Sequence, residues 1–167
     1  LQSQGVAFAL KHFPGLGMAT GSTDAGPVSI DAPASEIRDD YLPYVGCAGS
    51  RLALVMVSDA SYPNLTGSLP AVMSPLTYQR ELRIVSPQTP LVTISDDLQA
   101  PALNGQAAPA RAAINAGLDL LLYAQTENGS STAYQRLLAD VDDGSISQAR
   151  IRDADNAIAG LKRALAG

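Results

Sequence analysis

Short apolar runs alternate with amphipathic stretches along the whole chain. Val6–Leu10, Arg51–Val57, Leu91–Ser95 and Leu118–Tyr123 are too short for helices and rich in Val, Leu, Ile and Thr, so each reads as a buried strand. Between them lie helical segments. One begins at Ser35, read as its cap, with Asp39 and Asp40 near its positive end and Ile37, Tyr41, Leu42 and Val45 as its apolar face. Pro43 is expected to kink it, and Gly46 or Gly49 to end it. Others run from Pro75 to Arg83, from Gln106 to Ala116 and from Ser131 to Val141. The last is capped by Ser147 and carries Ile151, Ala154, Ile158, Leu161 and Leu165 on one face. Residues 18–33 and 58–74 read as long loops, which in compact domains are usually functional.

Strands alternating with helices imply parallel βαβ units, hence an α/β fold. A (β/α)8 barrel requires eight strands and about 250 residues. Four strands in 167 residues therefore predict the second half of a TIM-type barrel, residues 1–167 forming one partial domain. Strands 6–10 and 118–122 are then open edges, which invite association.

The apolar share of 46% is enough for a packed core, and the charged share of 16% is low. A net charge of -5 argues against nucleic acid as a partner. No apolar run reaches the ~20 residues of a membrane-spanning helix, and Leu1–Gly5 has no leader pattern. Cys47 is the single cysteine and reads as a buried structural thiol. His12 is the single histidine, which removes a two-histidine zinc site; no metal or cofactor is expected.

The stretch Pro90–Gln99 is the most informative. Its strand presents Ser95, Asp96 and Asp97 at the C-terminal end, the end at which α/β barrels place their active sites. The first strand ends in Lys11-His12-Phe13-Pro14-Gly15-Leu16-Gly17, where Pro14 stops the ladder and the glycines allow tight backbone. Taken alone, Asp96 and Asp97 could equally cap the following helix, and Lys11 and His12 could be a solvated lysine and a satisfied histidine.

The Lys11–Gly17 stretch resembles the Lys-His-Phe-Pro-Gly-His-Gly signature of glycoside hydrolase family 3, especially its β-N-acetylglucosaminidase branch. The resemblance extends through Val55–Ser58 with Tyr62-Pro63, Pro70–Ser74, Glu81–Arg83, Ser95–Leu98, Ala116–Asp119 and the terminal helix. It implies that Asp96 is the nucleophile of a retaining glycosidase and that Lys11 and His12 grip the sugar. Such a carboxylate traps the oxocarbenium-like transition state as a glycosyl ester. The implied substrate is a β-linked glycoside, an N-acetylglucosaminide of cell-wall peptidoglycan being the leading case. The missing N-terminal half-barrel is expected to be required.

The pattern breaks at the acid/base. The branch has an Asp-x-His pair after the signature, whereas here the loop reads Thr23-Asp24-Ala25-Gly26. Asp24 matches the aspartate and Gly26 replaces the histidine. Leu16 replaces the second signature histidine, and Asp59 stands where the next loop has one. Three readings stay open: Asp24 or Asp59 acts as acid with its pKa raised by burial near Asp96, another segment or chain supplies the acid, or the protein is a degenerate sugar binder. An unrelated barrel using Lys11 as a Schiff base is a remote fourth.

Overall fold

The computed structural model describes residues 1–166. In chain order it contains β1 (Phe8–Phe13), α1 (Ala34–Asp39), α2 (Leu42–Cys47), β2 (Ala53–Val57), β3 (Ser61–Tyr62) and β4 (Gly67–Pro70). These are followed by α3 (Leu82–Val85, entered through a π-helical turn over Thr77–Glu81), β5 (Val92–Asp97), α4 (Pro109–Ala116), β6 (Leu120–Leu122), α5 (Glu127–Asp142) and α6 (Gln148–Leu165). Four strands form one sheet in the order β1-β2-β5-β6, every pair parallel. The fold is α/β, as the alternating pattern implies, with β1 and β6 at its two edges.

Strand β2 is apolar on both faces, but only one face is fully covered. Along β2, Ala53, Val55 and Val57 are buried under the helices while Leu54 and Met56 stay half-exposed, as does Ile94 opposite Met56. The covered face packs against Phe13, Tyr41, Tyr44, Leu82 and Val85 on one side. On the other it meets Ile37, Tyr62, Leu65, Val72, Leu103 and Leu118. A sheet written with two apolar faces and covered on one is what a barrel wall looks like when its interior is open.

Two polar clamps tie the layers together. Glu81 is wholly buried and accepts hydrogen bonds from Arg38 (2.9 and 3.0 Å), Tyr41 (2.9 Å) and Arg80 (2.5 Å). Burial works against its charge, but these donors outweigh it and hold its pKa below the usual value. At the N-terminal ends of β5 and β6, Asp119 accepts from the Thr93 backbone and hydroxyl and from Arg150 of α6 (2.6 Å). This clamp lies on the rim away from Asp96.

Several local expectations are corrected. The helix read from Ser35 is two helices with a break at Asp40–Tyr41, and α1 starts after Pro33 with no side-chain cap. The break resets the helical phase, so Tyr41 and Tyr44 face the core while Leu42 and Val45 are exposed. Cys47 is half-buried. The loop 58–74 contains the β3–β4 hairpin. Ser147 does cap α6, accepting from the Arg150 amide, but Ile151 and Leu165 are exposed and only Ala154 and Leu161 are buried. No described helix is long and apolar enough to cross a membrane.

Candidate active site

Strand β1 runs three residues further than its apolar run suggests, carrying Lys11 and His12 inside the sheet. Its register against β2 slips there: Leu10 faces Val55, but Phe13 faces Val57. β5 slips in the same way, Ile94 facing Leu120 and Asp97 facing Leu122. Each slip is a one-residue bulge, a device that re-aims side chains at barrel rims. The two bulges lie where the sequence places its chemistry. The Lys11–His12 and Phe13–Pro14 peptide bonds are both cis.

At the end of β5 each polar side chain has a separate task. The Ser95 hydroxyl accepts from the Leu122 amide (2.8 Å), and one Asp97 oxygen accepts from the Gln99 and Ala124 amides (both 3.1 Å). Asp97 thus fastens the ends of β5 and β6. Asp96 has one oxygen on the Asp97 amide (2.9 Å) and turns the other to His12, Oδ2 lying 3.4 Å from Nε2. Its side chain is 19% exposed, so it is sheltered yet reachable. Lys11 precedes His12 in sequence, is exposed, and lines a groove of about 630 Å³ with His12, Gly15, Leu16, Asp39 and Asp40.

The groove floor is shaped by Gly15. Its φ of +149° disfavours a side chain, and a Cβ there would lie 2.3 Å from Asp40 Oδ2. The Gly15 carbonyl accepts from the buried Tyr62 hydroxyl (2.9 Å), pinning the signature loop to the hairpin.

Asp59 follows β2 and is 1% exposed, and neither of its oxygens has a hydrogen-bond partner. Burial, reinforced by the charges of Asp96, Asp97 and Asp24, raises its pKa to about 8. Asp24 itself is exposed and bonds only to Ser22 of its own loop. The next residue back, Thr23, is buried and its carbonyl receives the Ala102 amide, which anchors the loop over this rim.

The residues singled out in the sequence thus converge: His12 contacts Asp96, Lys11 lies on the same strand end, and Asp24 and Asp59 belong to the same group of carboxylates. The Glu81 clamp gave no signal, because Arg38 and Tyr41 reach it from a segment some forty residues away. Among the described residues, no group of three or more His, Cys, Asp or Glu side chains is placed to hold a metal.

A parallel sheet delivering carboxylates, an imidazole and a lysine to the C-terminal ends of its strands follows the α/β-barrel plan, in which that face carries the active site. The comparisons with known proteins narrow the class: the glycosyl hydrolase family 3 N terminal domain matches residues 1–161, and the chain belongs to that family. It is 31% identical over 170 residues to a secreted glycosyl hydrolase of Arthroderma benhamiae, covering 96% of this chain and 47% of the relative. A 74-residue stretch, 44% of this chain and 19% of the relative, is 38% identical to the beta-hexosaminidase LpqI of Mycobacterium tuberculosis. The β-N-acetylglucosaminidase of a Paenibacillus superposes with a TM-score of 0.90 at 26% identity, over 99% of this chain and 32% of that one. The chain thus spans about half the length of the fungal relative.

Proposed function

We propose that this chain carries the sugar-cleaving centre of a retaining β-glycosidase, with Asp96 as nucleophile and Lys11 and His12 binding the sugar. The observation that carries the reading is the His12–Asp96 contact at 3.4 Å across two bulged strand ends. Asp96 attacks the anomeric carbon as the glycosidic oxygen leaves, giving a glycosyl ester that water then hydrolyses. Lys11 donates to sugar hydroxyls, and His12 both orients Asp96 and hydrogen-bonds the ring substituents. The substrate is a β-linked N-acetylhexosaminide of cell-wall type, in keeping with the activities named for the LpqI and Paenibacillus relatives. Asp24, on the loop after the signature, stays the candidate acid/base of that loop. Residues 1–167 act as one partial domain that requires a complementary half-barrel, because the inner sheet face and both edges are open.

A second reading, a sugar-binding relative without turnover, is favoured by Gly26 standing where the acid/base loop would need a histidine. In the full-length protein, a 2-fluoro-glycoside is expected to label Asp96 covalently, and Asp96→Ala to abolish labelling. Saturable sugar binding without labelling would replace the enzyme reading with the binding one. The 167-residue chain alone is expected to release no measurable nitrophenol from an aryl β-N-acetylglucosaminide. Release that disappears in Asp96→Ala would overturn the requirement for a second half.

A further inference from the structure

Asp59 is the one buried carboxyl in the described residues that nothing accounts for. It is 1% exposed, with both oxygens unpartnered and out of contact with solvent. An unpaired buried carboxylate is strongly disfavoured, whereas the neutral acid is tolerable. Its surroundings make the choice sharper. Facing it are Asp96 and Asp97 from β5 and Asp24 from the loop after β1, all acidic. Tyr78 on the helix side also feels its charge, and His12 is engaged by Asp96. Among the described residues, the charges that act on Asp59 are those of Asp96, Asp97 and Asp24, with no lysine or arginine among them.

The loop that carries Asp59 is built into the site. The Ser58 amide donates to the Phe13 carbonyl (2.8 Å), directly after His12, and the Ser58 carbonyl accepts from the Val72 amide (3.0 Å). The Ser58 hydroxyl accepts from the Ala60 amide (3.0 Å). Val57, two residues before Asp59, pairs with Ser95, the residue before Asp96. A movement of Asp59 is therefore passed on to both His12 and Asp96.

We propose that Asp59 is a positioning residue: it keeps a proton so that Asp96 can stand beside it as a carboxylate held against His12. This deepens the reading of Asp96 as nucleophile and rests on it. Asp59 is enclosed at 1% exposure, so it is not placed to hand its proton to a leaving oxygen. Its raised pKa agrees with the geometry and sets the range in which the site holds together. Above about pH 8 a second anion forms beside Asp96 with no cation to meet it, and the loop around Asp59 opens to hydrate the charge.

Two measurements test this. A 2-fluoro-glycosyl fluoride needs no protein acid to expel fluoride, so its rate of labelling of Asp96 in the full-length protein isolates the nucleophile. That rate is expected to fall about tenfold between roughly pH 7 and pH 9 in the wild type and to change less than about twofold in Asp59→Asn, whose amide stays neutral. An equal fall in both proteins would overturn the proposal. So would loss of labelling at every pH in a folded Asp59→Asn, because Asp59 would then act directly.

The second measurement needs no activity. In the full-length protein, the assigned His12 ring signals are expected to shift through a step near pH 8 that Asp59→Asn removes. Carbonyl-labelled aspartate in the wild type gives the same answer should the variant not fold, Asp59 titrating near pH 8. Superimposable histidine curves, or an Asp59 that titrates with ordinary carboxylates, would reject the assignment. Failure of labelling with these titrations intact would instead reject Asp96 as nucleophile.

Discussion

Glu81→Ala is expected to destabilise the chain by about 3 kcal/mol, the lower part of the range for breaking a buried ion pair. Glu81 is wholly enclosed, and three donors from α1, the α1–α2 break and the π turn converge on it. Removing it leaves the Tyr41 hydroxyl buried without its acceptor and frees two guanidinium groups. Arg38 and Arg80 are 38% and 47% exposed, so they regain water, which is why the loss falls at the lower end. For a domain of this size that is roughly a 10 °C drop in melting temperature. The depressed Glu81 pKa gives the pH sign. Its stabilisation is present above the unfolded carboxylate pKa and is lost as pH falls through the folded value. Thermal unfolding of wild type and Glu81→Ala should therefore converge on acidification. A constant gap down to strongly acidic pH would show that packing, and not the ion pair, carries the effect.

The second large effect has the opposite sign. Asp59→Asn is expected to stabilise the chain, by about 4 kcal/mol at neutral pH. Asp59 ionises near its ordinary value when unfolded and near 8 when folded, so below that range both states hold the proton. Between the two pKa values only the folded state does, and folding must take up a proton against the solution. At about 1.4 kcal/mol per pH unit, the penalty builds from roughly pH 4 and levels off above pH 8. In the terms of linkage, the native state binds more protons, so stability falls as pH rises. Asparagine keeps the shape and stays neutral, so its urea midpoint should diverge upward from that of the wild type across this window. Parallel midpoints would mean that Asp59 is paired or hydrated in solution. A carboxyl that weakens its own fold beside the proposed nucleophile fits the usual trade of stability for activity at functional sites.

The sequence alone was enough for the class of fold and for which polar side chains share one rim of its sheet. Four apolar runs separated by helical stretches can be buried only as parallel βαβ units, and the period of side chains along strand and helix makes that legible without coordinates. Likewise, a carboxylate pair at the end of such a run, and Lys11-His12 at the end of another, lie on the same rim because parallel strands share a direction. The short matches to family 3 motifs supplied roles for those residues, which spacing by itself left open.

What the tertiary structure decided are the features set by contacts between distant segments. The bulges in β1 and β5 depend on pairing register, so the apolar run ending at Leu10 gave no hint that Lys11 and His12 continue the strand. The break at Asp40–Tyr41 turned Leu42 and Val45 outward, because Tyr41 had to reach Glu81 from a segment forty residues away. Asp24 and Asp59 look alike in the sequence as loop aspartates. One ended on the surface and the other enclosed among three acidic neighbours, since burial is a property of what packs around a residue and not of the residue itself.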